Sequence, residues 1–186
     1  MLVWFDCETT GLEPSADAML EVAVVLADAA LKERAVFAAP VRFIGEIAND
    51  WARGQHERSG LLAECRKAER DTQRIEQDIL DFLHAHGVAA KAGVLAGSSI
   101  HFDRGFIRAH MPRLDAYLHY RMVDVSSLNE LSSRFARSVY EKRPTVPKAQ
   151  IAHRALADIR ASIGTLQYYI DCGLFGLEGL DGGKVG

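Results

Sequence analysis

The chain has 186 residues, of which 48% are hydrophobic and 25% charged, a composition that suits one globular domain and excludes both a disordered polar chain and a membrane-embedded one. Its 25 Asp and Glu outnumber its 22 Lys and Arg, for a formal charge of −3. A polycation that holds nucleic acid by bulk charge is thereby excluded, and any nucleic-acid function must use a local site.

The run Leu2-Val3-Trp4-Phe5 is apolar, rich in β-formers and cut off by charge and then Gly11, which predicts a buried strand. A second strand is predicted at Met19 to Leu26. The apolar stretch to which it belongs is interrupted by Glu21 and Asp28, so no membrane span is expected; nor does a short basic head precede a long apolar run, so the cytoplasm is the expected compartment. Val36 to Phe43 predicts a third strand, placed at an edge or a bulge by Pro40. Three strands in succession suggest a meander.

Glu46 to Arg70 is dense in charge and punctuated by Gly54 and Gly60, which predicts short helical pieces and a surface loop. From Asp71 to His86 the spacing of Ile75, Ile79, Phe82 and Leu83 predicts an amphipathic helix stopped by Gly87. Val94-Leu95-Ala96 predicts a buried strand that passes through Gly97-Ser98-Ser99 into a helix carrying Phe102, Phe106 and Ile107 and ended by Pro112. Arg121 to Val125 predicts another strand. The helix after it has a capping box at Ser127 and Glu130 and an apolar stripe of Leu128, Leu131 and Phe135. Pro144 and Pro147 break regularity before a last long helix marked by Ala155, Ile159, Ile163, Leu166 and Ile170 and stopped by Gly173. Residues 174–186 form a glycine-rich tail expected to be loose. Strands first and alternating strand and helix later imply one α/β domain with a mixed sheet. The three cysteines, Cys7, Cys65 and Cys172, lack the paired spacing of a zinc site or disulfide framework and are expected to be reduced and mainly buried.

Chemistry concentrates at three places. Asp6 and Glu8, two apart on a strand, share a face, with Cys7 expected on the opposite, apolar side. Taken alone, such a pair is solvated as the strand frays. Asp103 begins a helix directly after a strand and a small-residue loop, where ligands gather in open α/β sheets, although compensation of the helix dipole explains a lone acid there equally well. His153 and Asp158, five apart, lie roughly 140° from each other on a continuous helix, so a shared site needs His153 on the preceding turn with Asp158 facing inward. The combination carries more than its parts. Four carboxylates can hold two divalent ions about 3.5–4 Å apart for a phosphoryl transfer, and a histidine can take the proton of the attacking water. That set makes a metal-assisted phosphodiester hydrolase. Without further signal Trp51 could cover the core, Arg121 could be solvated and Tyr120 packed. His84 and His86, two apart on a predicted helix, face different ways and suit no shared metal.

Three segments, Phe5-Asp6-Cys7-Glu8-Thr9-Thr10-Gly11-Leu12, Gly97-Ser98-Ser99-Ile100-His101-Phe102-Asp103-Arg104 and His153-Arg154-Ala155-Leu156-Ala157-Asp158-Ile159-Arg160, resemble the DEDD exonucleases of the histidine subclass. Met111-Pro112, His119-Tyr120-Arg121 and Asp124-Val125-Ser126 resemble the branch that degrades very short RNA. The resemblance spans nearly the whole chain and implies a ribonuclease-H-like mixed sheet flanked by helices, with residues 1–173 as a single exonuclease domain. It implies two Mg2+ or Mn2+ ions on Asp6, Glu8, Asp103 and Asp158, with His153 as general base. It assigns Leu12 and Trp51 to the two terminal bases, and Ser99, Arg121 and Ser126 to the 5′ phosphate of single-stranded RNA two to five nucleotides long. His119 and Tyr120 would reach that phosphate from the second subunit of a homodimer. Related exonucleases acting on DNA or transfer-RNA 3′ ends share the metal site, and a non-catalytic nucleic-acid-binding module shares the fold. Cys7 and Thr9 stand where that branch usually has leucine and methionine, His101 where it has glycine, and Ala157 where it often has aspartate. These departures touch no metal ligand and bear on the fit around the 3′ end. Two bound divalent ions would also reverse the sign of the formal charge, so the acidic balance does not count against RNA.

Overall fold

A computed structural model describes residues 1–145 and 153–173. The five strands are β1 (Leu2–Thr9), β2 (Met19–Ala27), β3 (Glu33–Pro40), β4 (Val94–Gly97) and β5 (Met122–Asp124), in the order β3-β2-β1-β4-β5. β1 to β3 form the antiparallel meander, whereas β4 and β5 add in parallel on the other side of β1. Their crossovers pass through α3 (Thr72–Ala85) and then α4 (Ile100–His110) and α5 (Pro112–Tyr117). Beyond β5 come α6 (Val125–Phe135), α7 (Arg137–Lys142) and α8 (Ala155–Asp171), and between β3 and α3 lie α1 (Asp50–Arg58) and α2 (Leu61–Lys67). This is the single α/β domain, a mixed sheet between helices, that the alternation of elements implies.

Both faces of the sheet are covered, which is why β2 is buried along its whole length. On one face Val3, Phe5, Val22 and Val24 pack with Ile75, Ile79, Leu83, Phe106 and Ile107. On the other, Trp4, Ala23, Val25 and Ala96 meet Val125, Ala155, Ile159 and Leu166. Gly97 is required by this packing, since a Cβ there would lie 2.9 Å from the Phe5 carbonyl oxygen and from Ile100 Cδ1.

Several boundaries differ from the sequence reading. β3 begins at Glu33 and ends at Pro40: Val41 still donates its N–H to Leu20 of β2, but Arg42 and Phe43 donate theirs to Arg70 and Cys65, outside the sheet. Pro112 does not merely end α4; it opens α5 as its first residue, where a missing N–H costs nothing. The capping box at Ser127 is absent: Asp124 caps α6 by accepting from Ser126 N, and Glu130 pairs with Arg134. Leu131 and Phe135 are exposed, so the stripe expected on α6 faces outward and only Leu128 packs on the core. Cys7 and Cys65 are buried as expected, but Cys172 is exposed. Pro147 and the tail 174–186 lie outside the described residues.

Candidate active site

β1 is the middle strand, and it carries Asp6 and Glu8 on the face that Trp4 also uses. β4 ends at Gly97 and turns into α4, whose first turn holds the buried Asp103. Asp103 Oδ1 accepts from Cys7 N at 2.9 Å and from Cys7 Sγ at 3.3 Å. The thiol therefore does not simply face the apolar core, as alternation alone suggests; it touches one of the acids. The first turn of α8 supplies Asp158, and His153 stands on the turn before it with φ of 44°. That is the arrangement which five-residue spacing demands of a shared site. Glu8, His153 and Asp158 each place one potential ligand atom within 4.8 Å of the others.

The acids repel each other in a place where burial already disfavours charge. Burial pushes the Glu8 carboxyl up to about 8, with Asp158, Glu21 and Asp103 adding to the rise. Burial also raises Asp103 to about 7, although hydrogen bonds from Cys7 oppose it. Asp6 is driven well above the usual carboxylate range, by burial first and then by Asp103 and Glu8. Burial raises Asp158 too, against the pull of His153. A cluster of hard oxygen donors and one imidazole, costly to ionise without a counter-charge, suits a divalent cation.

The linkage has a definite sign. Acids raised in the folded state bind more protons than in the unfolded chain, so the metal-free protein should lose stability as pH rises from about 4 to about 8. Thermal melts in chelator between about pH 5 and pH 8 check this, and Mg2+ should restore the melting temperature chiefly at the alkaline end. A melting temperature that rises over that range without metal would contradict it.

Beside the acids is a cavity of about 220 Å³, lined by Glu8, Leu12, Trp51, His56, Phe102 and His153 among others. Leu12 and Trp51 stand at it 77% and 66% exposed, so Trp51 does not cover the core. Its ring meets the His153 ring edge-on at 5.7 Å between centroids. Leu12 follows Gly11, where a Cβ would collide with the Asp17 carboxylate; Asp17 in turn accepts from Thr10 Oγ1 and Glu13 N and so fixes this loop. A turn before Asp103, Ser99 N donates to Asp124 Oδ1 at 2.8 Å and to Ser126 Oγ at 2.9 Å, and the two hydroxyls are 3.1 Å apart. Arg121 is not drawn into that group. Its guanidinium lies 5.3 Å from the centroid of the exposed Tyr120 ring, against which His119 stacks.

Four residues at or beside the site carry no separate signal in the sequence. Glu21 is the cross-strand partner of Glu8 and is 5% exposed. Arg154 bonds it, Asp124 organises the two serines, and the buried His56 lies with Nε2 2.9 Å from the Thr9 carbonyl oxygen, tying α1 to the end of β1. An acid inside an apolar strand is the hint for Glu21, while Arg154 and Asp124 lie inside the segments that carry the family resemblance.

A ribonuclease-type sheet with carboxylates and a histidine gathered beside an apolar cavity defines a nuclease-type hydrolase. Residues 3–166 match the family model for exonucleases. The chain is 42% identical to an oligoribonuclease of Mycolicibacterium paratuberculosis, over 90% of this chain and 79% of that one, and 43% identical to an oligoribonuclease of Rhodococcus jostii, over 90% and 85%. Among solved structures, Escherichia coli exonuclease I in complex with an oligonucleotide aligns with a TM-score of 0.66 at 14% identity, covering 94% of this chain and 42% of that one. A second complex of that protein gives 0.67 at 15% identity with the same coverage. This likeness is one of fold, to a protein of which the chain spans less than half. The chain therefore belongs to the exonuclease family, on its oligoribonuclease branch.

Proposed function

We propose that the site hydrolyses short single-stranded RNA of two to five nucleotides from the 3′ end to 5′ mononucleotides. The observation that carries this reading is the convergence of Glu8, His153 and Asp158 within 4.8 Å, beside a cavity edged by Leu12 and Trp51. Asp6, Glu8, Asp103 and Asp158 would hold two Mg2+ or Mn2+ ions. When bound, such ions neutralise charge on the attacking and leaving oxygens. His153 takes the proton of the attacking water, held against the edge of Trp51. Leu12 wedges the terminal bases and Trp51 stacks on them, as suits apolar and aromatic surface.

Ser99 and Ser126 receive the 5′ phosphate at the start of α4, where the helix dipole favours an anion, and Arg121 swings from Tyr120 to complete the set. His119 and Tyr120 act from a second copy of the chain. Supporting that homodimer, the edge strand β5 and its flanks leave Tyr120, Met122, Leu131 and Phe135 exposed. Residues 1–173 form the exonuclease domain. A cytoplasmic location is part of the reading, consistent with cysteines that are free among the described residues. No helix of the described residues is long and apolar enough to cross a membrane.

The test is hydrolysis of 5′-labelled RNA from two to seven nucleotides by purified protein with Mg2+. Rates should fall steeply beyond the dinucleotide, and Tyr120→Ala should flatten that preference while leaving the acids untouched. Equal rates on long single strands would instead favour an exonuclease that trims DNA or transfer RNA.

A further inference from the structure

Arg154 directly follows His153 and spans two acids. Its Nε donates to Glu21 Oε1 and Oε2 at 3.1 Å each, and its Nη2 to Glu21 Oε1 at 2.7 Å. The other edge of the guanidinium donates to Glu64, from Nη1 at 3.0 Å and Nη2 at 2.8 Å. Glu21 Oε2 also accepts the Ala155 backbone N–H at 2.9 Å. Helix starts are usually capped by the residue at the cap position itself, but Arg154 makes no such bond. Glu21 supplies the cap from β2, on the sheet face that α8 covers. It can do so rigidly because β2 is buried from end to end.

The residue just before this grip has an unusual backbone. His153 adopts a left-handed φ of 44°, a conformation that a non-glycine residue holds only where its surroundings over-determine it. Glu21 fixes both the side chain of Arg154 and the N–H of Ala155, so it anchors the chain immediately after the strained residue. Through Glu64 the same guanidinium reaches α2, which packs beside the α1 helix that carries Trp51.

We propose that Glu21 and Arg154 are positioning residues that set the His153 imidazole against Glu8 and Asp158, and that Glu64 ties this setting to the helices presenting Trp51. This inference rests on the reading of His153 as the general base. A purely structural ion pair would leave kcat unchanged in a folded variant, and such a variant is accessible because a carboxylate and guanidinium can often be replaced together by neutral side chains without loss of stability.

The experiment compares the full chain with Glu21→Gln/Arg154→Met, Arg154→Lys and His153→Ala, in Mg2+ with a dinucleotide substrate. The double variant removes the buried carboxylate together with its cation, and the Glu64 carboxylate that it leaves unpaired is exposed to solvent. Its melting temperature should stay near that of the parent while kcat falls about tenfold or more and KM changes less than about twofold. Arg154→Lys keeps the charge but not the two-edged fork, and should give an intermediate kcat at unchanged KM. NMR of the His153 ring should show one sharp set of signals in the parent and broadened or multiple signals in the double variant. A folded double variant with parental kcat and a sharp His153 signal overturns the proposal. If His153→Ala itself keeps parental kcat, the base assignment fails and the clamp fails with it; if His153→Ala is inactive and the clamp variants are fully active, the base stands and the clamp alone falls.

Discussion

Asp103→Asn should abolish metal-dependent hydrolysis, lowering kcat by about a thousandfold, without unfolding the protein. Both expectations follow from one environment. Asp103 is 4% exposed, and its Oδ1 accepts from the backbone and thiol of Cys7. An asparagine Oδ1 can accept the same two bonds, so the junction between β1 and α4 survives. The variant loses the negative charge that would hold a cation. Burial lifts the Asp103 carboxyl to about 7, so above that pH the metal-free parent ionises it at a cost in stability that asparagine does not bear. In chelator at about pH 8 the variant should therefore melt later than the parent, and Mg2+ should narrow or reverse the gap. Steady-state hydrolysis of a dinucleotide and melts with and without Mg2+ read both effects. Undiminished turnover in the folded variant would sink the proposed site.

His153→Ala should lower kcat by about a hundredfold to ten-thousandfold, the usual range for a lost general base. His153 also lies close enough to Glu8 and Asp158 to be a metal ligand in its own right, and the two roles separate cleanly. As the base, its loss leaves Mn2+ affinity unchanged and lowers kcat at every metal concentration. As a ligand, its loss weakens Mn2+ binding, and excess metal restores turnover. Calorimetric Mn2+ titration beside turnover at rising metal concentration decides between them, and a hydrolysis rate recovered by excess metal would remove His153 from the role of base.

The candidate acids could be read from the sequence because each sits at a local landmark: Asp6 and Glu8 at the end of an apolar strand, Asp103 one turn into a helix after a small-residue loop, and Asp158 in the first turn of the last long helix. The need for His153 to stand off that helix followed from angular spacing alone. Glu21 was not legible as part of the site. Its neighbours in sequence are apolar, and its partnership with Glu8 exists only through the register of β1 against β2. The same holds for Cys7, whose alternation predicts an apolar setting but whose thiol meets an acid 96 positions away. On α6 the periodic Leu131 and Phe135 suggested a core stripe, yet helical spacing records only that residues share a face, not what covers it.

Sequence by itself determined the α/β class and the order of the elements, and it supplied the four carboxylates and the histidine as candidates, because those depend on side-chain chemistry and on periodicities a few residues long. The tertiary structure alone decided how the acids raise one another's pKa, which residues brace His153, and which way α6 presents its apolar face. Those properties arise from through-space distances between segments up to 134 positions apart, as between Glu21 and Ala155, and no local pattern encodes such a distance.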